Sequence, residues 1–169
     1  MVITAIPAGF AAGLFGIGGG LITVPILFYI FSMSGVEPTY LMHLAVGTSF
    51  CIIIPTSIVS VLTHHQHKAV DFNIVKGYGF FVALGVILGT ILAASLKTRP
   101  LILFFTVVVF ILAFYLLFLK EKEEKLEIKM GLLATGLSGI ISGFISAPMG
   151  IGGAVMNVPI LKFFGYPIN

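Results

Sequence analysis

Gly9-Phe10-Ala11-Ala12-Gly13-Leu14-Phe15-Gly16-Ile17-Gly18-Gly19-Gly20-Leu21-Ile22-Thr23-Val24-Pro25-Ile26-Leu27 is a helix-length apolar stretch with four glycines in the five residues 16–20. Its skeleton returns 134 residues later: Gly143-Phe144, then Gly150-Ile151-Gly152-Gly153-Ala154, then Val158-Pro159-Ile160-Leu161. Ten of the nineteen aligned positions are identical. Each glycine inside a helix costs about 1 kcal/mol relative to alanine, so such a cluster breaks a helix. Helix breakers at matching places in two hydrophobic segments point to a transporter built from two repeats, with its site near mid-membrane.

The surrounding composition agrees. Nine Lys and Arg and six Asp and Glu are all the charges in 169 residues, and the mean hydropathy is +1.18. Residues 1–36, 38–67, 77–96, 100–119 and 130–161 carry no Asp, Glu, Lys or Arg. Each run is long enough for the roughly 30 Å hydrocarbon core, which takes about 20 helical residues. A polytopic α-helical membrane protein follows, with segments at about 3–31, 40–63, 76–96, 100–119 and 130–161. A cleaved signal peptide is a poor reading of the first segment, which lacks a basic start and exceeds the usual 7–15 apolar residues. No basic stripe supports a nucleic-acid partner. The single cysteine, Cys51, excludes an intrachain disulfide.

Within the segments, Pro55 predicts a kink, Gly85-x-x-x-Gly89 a close-packing face, and Pro100 a helix start. Eight charges crowd into 120–129, read as a solvated loop. If the first segment crosses fully, Lys68, Lys76, Lys120, Lys122, Lys125 and Lys129 share one side against Lys97, Arg99 and Lys162. That bias places the 120–129 loop in the cytoplasm. Four crossings between the breaks would make the repeats parallel; a re-entrant first segment would make them inverted.

The breaks are the strongest candidates for chemistry. Leu21 stands where a dinucleotide fingerprint needs glycine, and no Walker lysine follows. A helix resuming after the break instead exposes N–H groups and the positive end of its dipole, which favour an anion. The candidate substrate-binding residues are Gly16, Gly18, Gly19, Gly20, Thr23 and Pro25 at the first break, and Gly150, Gly152, Gly153, Asn157 and Pro159 at the second. Pro25 and Pro159 are expected close to the first turn of each resumed helix. Thr48 and Ser49 of Gly47-Thr48-Ser49 are added as pathway hydroxyls, although helix-borne hydroxyls often bond back to the preceding turn. His64 is a candidate gating or pH-sensitive residue. The cluster His64-His65-Gln66-His67 lacks carboxylate or cysteine partners for zinc, and His43 is read as interfacial. No metal, cofactor or catalytic residue is expected.

No charged residue interrupts the centre of any segment, whereas ion-coupled carriers commonly place one there. An anion leaving a negative-inside cell needs no such coupling, because the potential favours exit by about 2.3 kcal/mol per charge per 100 mV. A facilitative anion exporter is the expectation.

Gly9–Pro25, then Ala45-Val46-Gly47-Thr48-Ser49, then His64 six residues before Val70-Asp71, then the second Gly-Ile-Gly-Gly…Val-Pro, resemble the sulfite exporter TauE/SafE family of membrane permeases. Lys68 departs from the family's usual glycine. The resemblance implies a multi-span permease of two homologous halves exporting sulfite, organosulfonates or related sulfur-containing anions. The expected fold class is therefore all-α: a polytopic integral membrane protein of two homologous repeats with broken glycine-rich helices. Residues 1–119 form the first repeat, 120–129 a cytoplasmic loop, and 130–169 the start of a truncated second repeat. Expected partners are a small anionic substrate and the lipid bilayer of the inner cell membrane, with self-association left open. A carboxylate transporter on the same scaffold, or a non-transporting membrane assembly subunit, are the alternative readings.

Overall fold

The computed structural model describes residue 10, residues 19–66, 72–118 and 132–153, and residue 156. Among these it is all-helical: α1 Gly20–Met33, α2 Leu41–Gln66, α3 Phe72–Ser95, α4 Thr98–Phe118 and α5 Leu132–Met149. Where they are described, the charge-free runs are largely helical because an apolar chain in lipid must satisfy its backbone internally. Leu41–Gln66, Lys76–Ser95 and Thr98–Tyr115 are long and apolar enough to cross a membrane, while α1 and α5 are shorter. α2 continues through Pro55 as one helix.

Two contacts tie the connections at one end of the bundle. The Thr98 hydroxyl of α4 donates to the carbonyl of Thr39, before α2. His43 Nε2 lies 3.1 Å from the Ala93 carbonyl near the end of α3. Because a carbonyl only accepts, Nε2 carries the proton, and Nδ1 is buried without a partner among the described residues. His43 is thus half-buried in a helix-to-helix tie. Val24, Leu27, Met42, Ala45, Val46, Ala93 and Leu101 form the buried cluster at this end.

The most extensive helix pairing is α3 with α5. They run parallel, since Gly85 meets Ile140 and Gly89 meets Phe144. A Cβ on Gly85 would stand 2.2 Å from the Ile140 carbonyl oxygen, and one on Gly143 2.2 Å from that of Val82. Glycines on both helices therefore let the backbones touch, the small-residue mode of helix association in lipid. Pro148 in α5 offers no N–H to the Phe144 carbonyl. That freed oxygen sits 2.4 Å from where Gly89 would carry a Cβ.

Elsewhere the helices present large apolar side chains outward, among them Ile58 and Leu62 on α2, Phe80 and Ile91 on α3, and Leu103 and Phe110 on α4. Hydroxyls on these helices bond back into their own turns: Thr56 to Ile52 at 3.0 Å, Thr90 to Val86 at 2.8 Å, Thr106 to Ile102 at 2.9 Å. An apolar exterior with its hydroxyls satisfied internally suits hydrocarbon, and the chain is a multi-pass membrane protein.

Candidate functional site

α5 ends at its glycines by a defined device. Gly150 takes φ 65°. Its N–H donates to the Ala147 carbonyl at 3.2 Å, and that of Ile151 to Ser146 at 3.5 Å. These are the two bonds of a Schellman cap, with Gly150 in the left-handed position and Ile151 buried behind it. Gly152 and Gly153 follow at φ 72° and 81°. Met156 N–H donates to the Gly153 carbonyl at 3.1 Å. At the sequence-equivalent place Ile22 donates to Gly19 at the same 3.1 Å, and Gly19 has φ 45°.

The start of α1 and the end of α5 meet against α2. The Ser49 hydroxyl, fully buried, donates to the Gly150 carbonyl at 2.9 Å. A Cβ on Gly20 would fall 2.1 Å from that same oxygen and 2.6 Å from Ile151 Cα. One on Gly150 would reach Val24 Cγ2 at 3.1 Å and Val46 Cα at 3.3 Å, and one on Gly152 would reach Ile53 Cγ2 at 3.0 Å. Gly19, Gly20, Ser49, Gly150, Gly152 and Gly153 thus gather around one junction. Ser49 lies about 12 Å along α2, a helix about 39 Å long at 1.5 Å per residue. The segments that build the junction contain no Asp, Glu, Lys or Arg. Its electrostatics come from backbone: the first N–H groups of α1 are its positive end, and the last carbonyls of α5 the opposite.

Several candidates sit differently from their sequence reading. Thr23 bonds back to the Gly19 carbonyl at 2.8 Å, so its proton, like that of Ser49, goes to backbone. Ser49 is a clasp holding the break to α2. Pro25 lies inside α1 beyond its first turn, because the helix already begins at Gly20, and its ring is exposed. Thr48 is half-buried beside Ser49. His64 is exposed on the last turn of α2, about 22 Å along the helix from Ser49, and is not brought to the junction. Gly16, Gly18, Asn157 and Pro159 lie outside the described residues.

Sequence reading passed over Ser146. It is buried, its hydroxyl has no hydrogen-bond partner among the described residues, and it lines a cavity of about 100 Å³ beside the second break. Its one signal in the sequence was a difference between the repeats, since Ala12 stands at the equivalent position.

Comparison with known proteins identifies the scaffold. The sulfite exporter TauE/SafE family model matches residues 1–169. A probable membrane transporter protein of Haemophilus influenzae is 34% identical over 162 residues, covering 96% of this chain and 61% of that protein. A probable membrane transporter protein of Methanocaldococcus jannaschii is 29% identical, covering 100% of this chain and 63% of its own length. One of Bacillus subtilis is 24% identical, at 99% and 68%. The chain thus spans about three-fifths of the first two relatives, by their 61% and 63% coverage. No solved structure matches. With uncharged spans meeting at a glycine junction and a family match along its whole length, the chain belongs to the sulfite exporter TauE/SafE family, a family of membrane transporters rather than an enzyme class.

Proposed function

We propose that this chain serves a facilitative permease of the inner cell membrane that releases sulfite, an organosulfonate or a related small sulfur-containing anion. Residues 1–119 act as the first repeat, 120–129 as a cytoplasmic loop and 130–169 as the start of the second. The observation that carries this reading is the junction itself: the two glycine breaks meet at Gly20 and Gly150, clasped by Ser49. Broken helices at membrane depth are tolerated where protein or a water-filled path satisfies the freed backbone. The start of α1 at Gly20 offers backbone N–H groups for an anion. Gly16, Gly18, Thr23, Thr48, Asn157 and Pro159 belong to the same proposed surround. Among the described residues the junction segments carry no Lys or Arg, so backbone N–H groups and hydroxyls would hold the solute.

The test is efflux of radiolabelled sulfite from proteoliposomes of the full-length protein. An imposed inside-negative potential accelerates efflux, by the 2.3 kcal/mol per charge per 100 mV available to an anion (about 50-fold in driving force). Uphill accumulation driven by a proton gradient alone would contradict a facilitative mechanism.

A further inference from the structure

We propose that α3 and α5 move as one rigid body against α1, α2 and α4, tilting about the glycine junction, so that the moving unit cuts across the sequence repeats. The inference rests on the permease reading above only for the use of the motion; the packing stands without it. α3 and α5 touch along a line. Phe81 meets Gly136, Gly85 meets Ile140, Val82 and Val86 meet Gly143, and Gly89 meets Phe144 and Ala147. On α5 that line runs from 136 to 147, about 16 Å at 1.5 Å per residue. Contact of backbones over about three turns leaves neither helix free to tilt on the other. The seam is also matched in polarity, since the Tyr78 side chain of α3 hydrogen-bonds with Ser142 and Ser138 of α5.

The other described helices form a second body. α1 packs along α2, and Val24, Leu27, Met42, Ala45 and Val46 on these helices close around Leu101 of α4. The strongest ties between the two bodies lie towards one end. Gly20 and Ser49 touch the Gly150 carbonyl, Gly152 faces Ile53, and His43 of α2 donates to the Ala93 carbonyl near the end of α3. His43 and Ser49 are about 9 Å apart along α2. Beyond them α2 stands clear, exposed throughout from Ile54 to Gln66. A local contact between glycine backbones, without interdigitating side chains, resists tilting less than a line of contacts does.

The boundary is imperfect where the seam is not. A void of about 100 Å³ lies between Phe50 of α2, Val82 and Val86 of α3, and Ser146 and Ala147 of α5. His43 Nδ1 and Ser146 Oγ are buried without a partner among the described residues. Both residues sit on this boundary, one tying α2 to α3 and the other lining the void. Voids and unmatched buried groups each cost stability, which narrows the gap between this arrangement and a shifted one. Packed interfaces switch between discrete arrangements rather than deform continuously. Motion divided by the sequence repeats would keep α3 with α1 and α2. The packing instead gives α3 to α5, so the seam travels and the junction is the pivot.

Double electron–electron resonance between iodoacetamide-linked nitroxides tests this on the full-length protein in nanodiscs, in a Cys51→Ala background. Leu62→Cys with Phe80→Cys spans the boundary, and Phe80→Cys with Leu137→Cys spans the seam; all three positions are exposed. The seam pair should give one narrow distance and the boundary pair two. Ser49→Ala, which removes one tie, should shift the ratio of the two boundary distances about fivefold, the effect of losing one net hydrogen bond. A single narrow distance for the boundary pair with and without Ser49→Ala overturns the inference, as does a second distance for the seam pair. Either result leaves the permease reading standing where wild type still passes radiolabelled sulfite. Two boundary distances in a protein that passes no sulfite remove that reading and keep the two bodies.

Discussion

The Ser49 hydroxyl and the Gly150 carbonyl are joined by a 2.9 Å hydrogen bond that is buried and closes 101 residues of chain. It fixes the glycine turn after α5 to α2, at the level where α1 begins. Ser49→Ala leaves the carbonyl without this donor and should destabilise the protein by about 1–3 kcal/mol. Thermal unfolding in detergent reads the loss, with Cys51→Ala, exposed two residues further along α2, as the neutral control.

Gly20→Ala should be more damaging than Ser49→Ala. Its Cβ would lie 2.1 Å from the Gly150 oxygen and 2.6 Å from Ile151 Cα, backbone against backbone, so α1 must move away from α5. Gly47→Ala is the informative contrast, because nothing lies within 4 Å of its Cβ. Relief of the helical glycine penalty should stabilise that variant by up to about 1 kcal/mol. Both values are read from the same unfolding measurement.

The α3–α5 seam gives the same logic a second test. Gly85→Ala and Gly143→Ala each drive a Cβ to 2.2 Å from a carbonyl oxygen of the facing helix, whereas Gly79→Ala meets nothing within 4 Å. The first two should lower the melting temperature and weaken a disulfide or crosslink engineered between α3 and α5. Gly79→Ala should do neither.

Sidedness is testable without any transport assay. The Thr98–Thr39 bond places the connection at 96–97 on the same side as that at 34–40. Since α3 separates them, Lys76 and Lys97 lie at opposite ends of one helix. With the basic residues biased towards the Lys76 side, Lys76→Cys in a Cys51→Ala background should react with an impermeant thiol reagent only in inverted vesicles. Lys97→Cys should react only in right-side-out cells. The reverse pattern would invert the assigned orientation.

Much of the fold was legible because lipid enforces simple rules. Runs free of charge located α2, α3 and α4 to within about four residues at each end, and the glycine cluster at 150–153 coincides with the end of α5. Other features depend on contacts between distant segments, which one sequence does not encode visibly. Gly85 and Gly89 read as a packing face, but nothing identified α5 as the partner or Gly143 as its reciprocal glycine. Pro25 read as a first-turn proline because the start of α1 at Gly20 was unknown. The role of Pro148 in freeing the Phe144 carbonyl towards Gly89 follows from the helix pairing alone. Ser146 drew no reading from the sequence, and its burial without a partner among the described residues is what distinguishes it. His64 stood out in sequence as part of a histidine cluster, yet the helix carries it far from the junction.

The central claim is that the glycine junction is the path of the anion. Sulfite flux through the full-length protein, normalised to folded protein, tests it most directly in wild type, Gly152→Ala and Cys51→Ala. Gly152 is exposed at φ 72°, and a Cβ there would press on Ile53 Cγ2 at 3.0 Å. Its alanine variant should strain the backbone by about 1–3 kcal/mol and cut flux at least tenfold, while Cys51→Ala stays near wild type. Undiminished flux through folded Gly152→Ala would contradict the account.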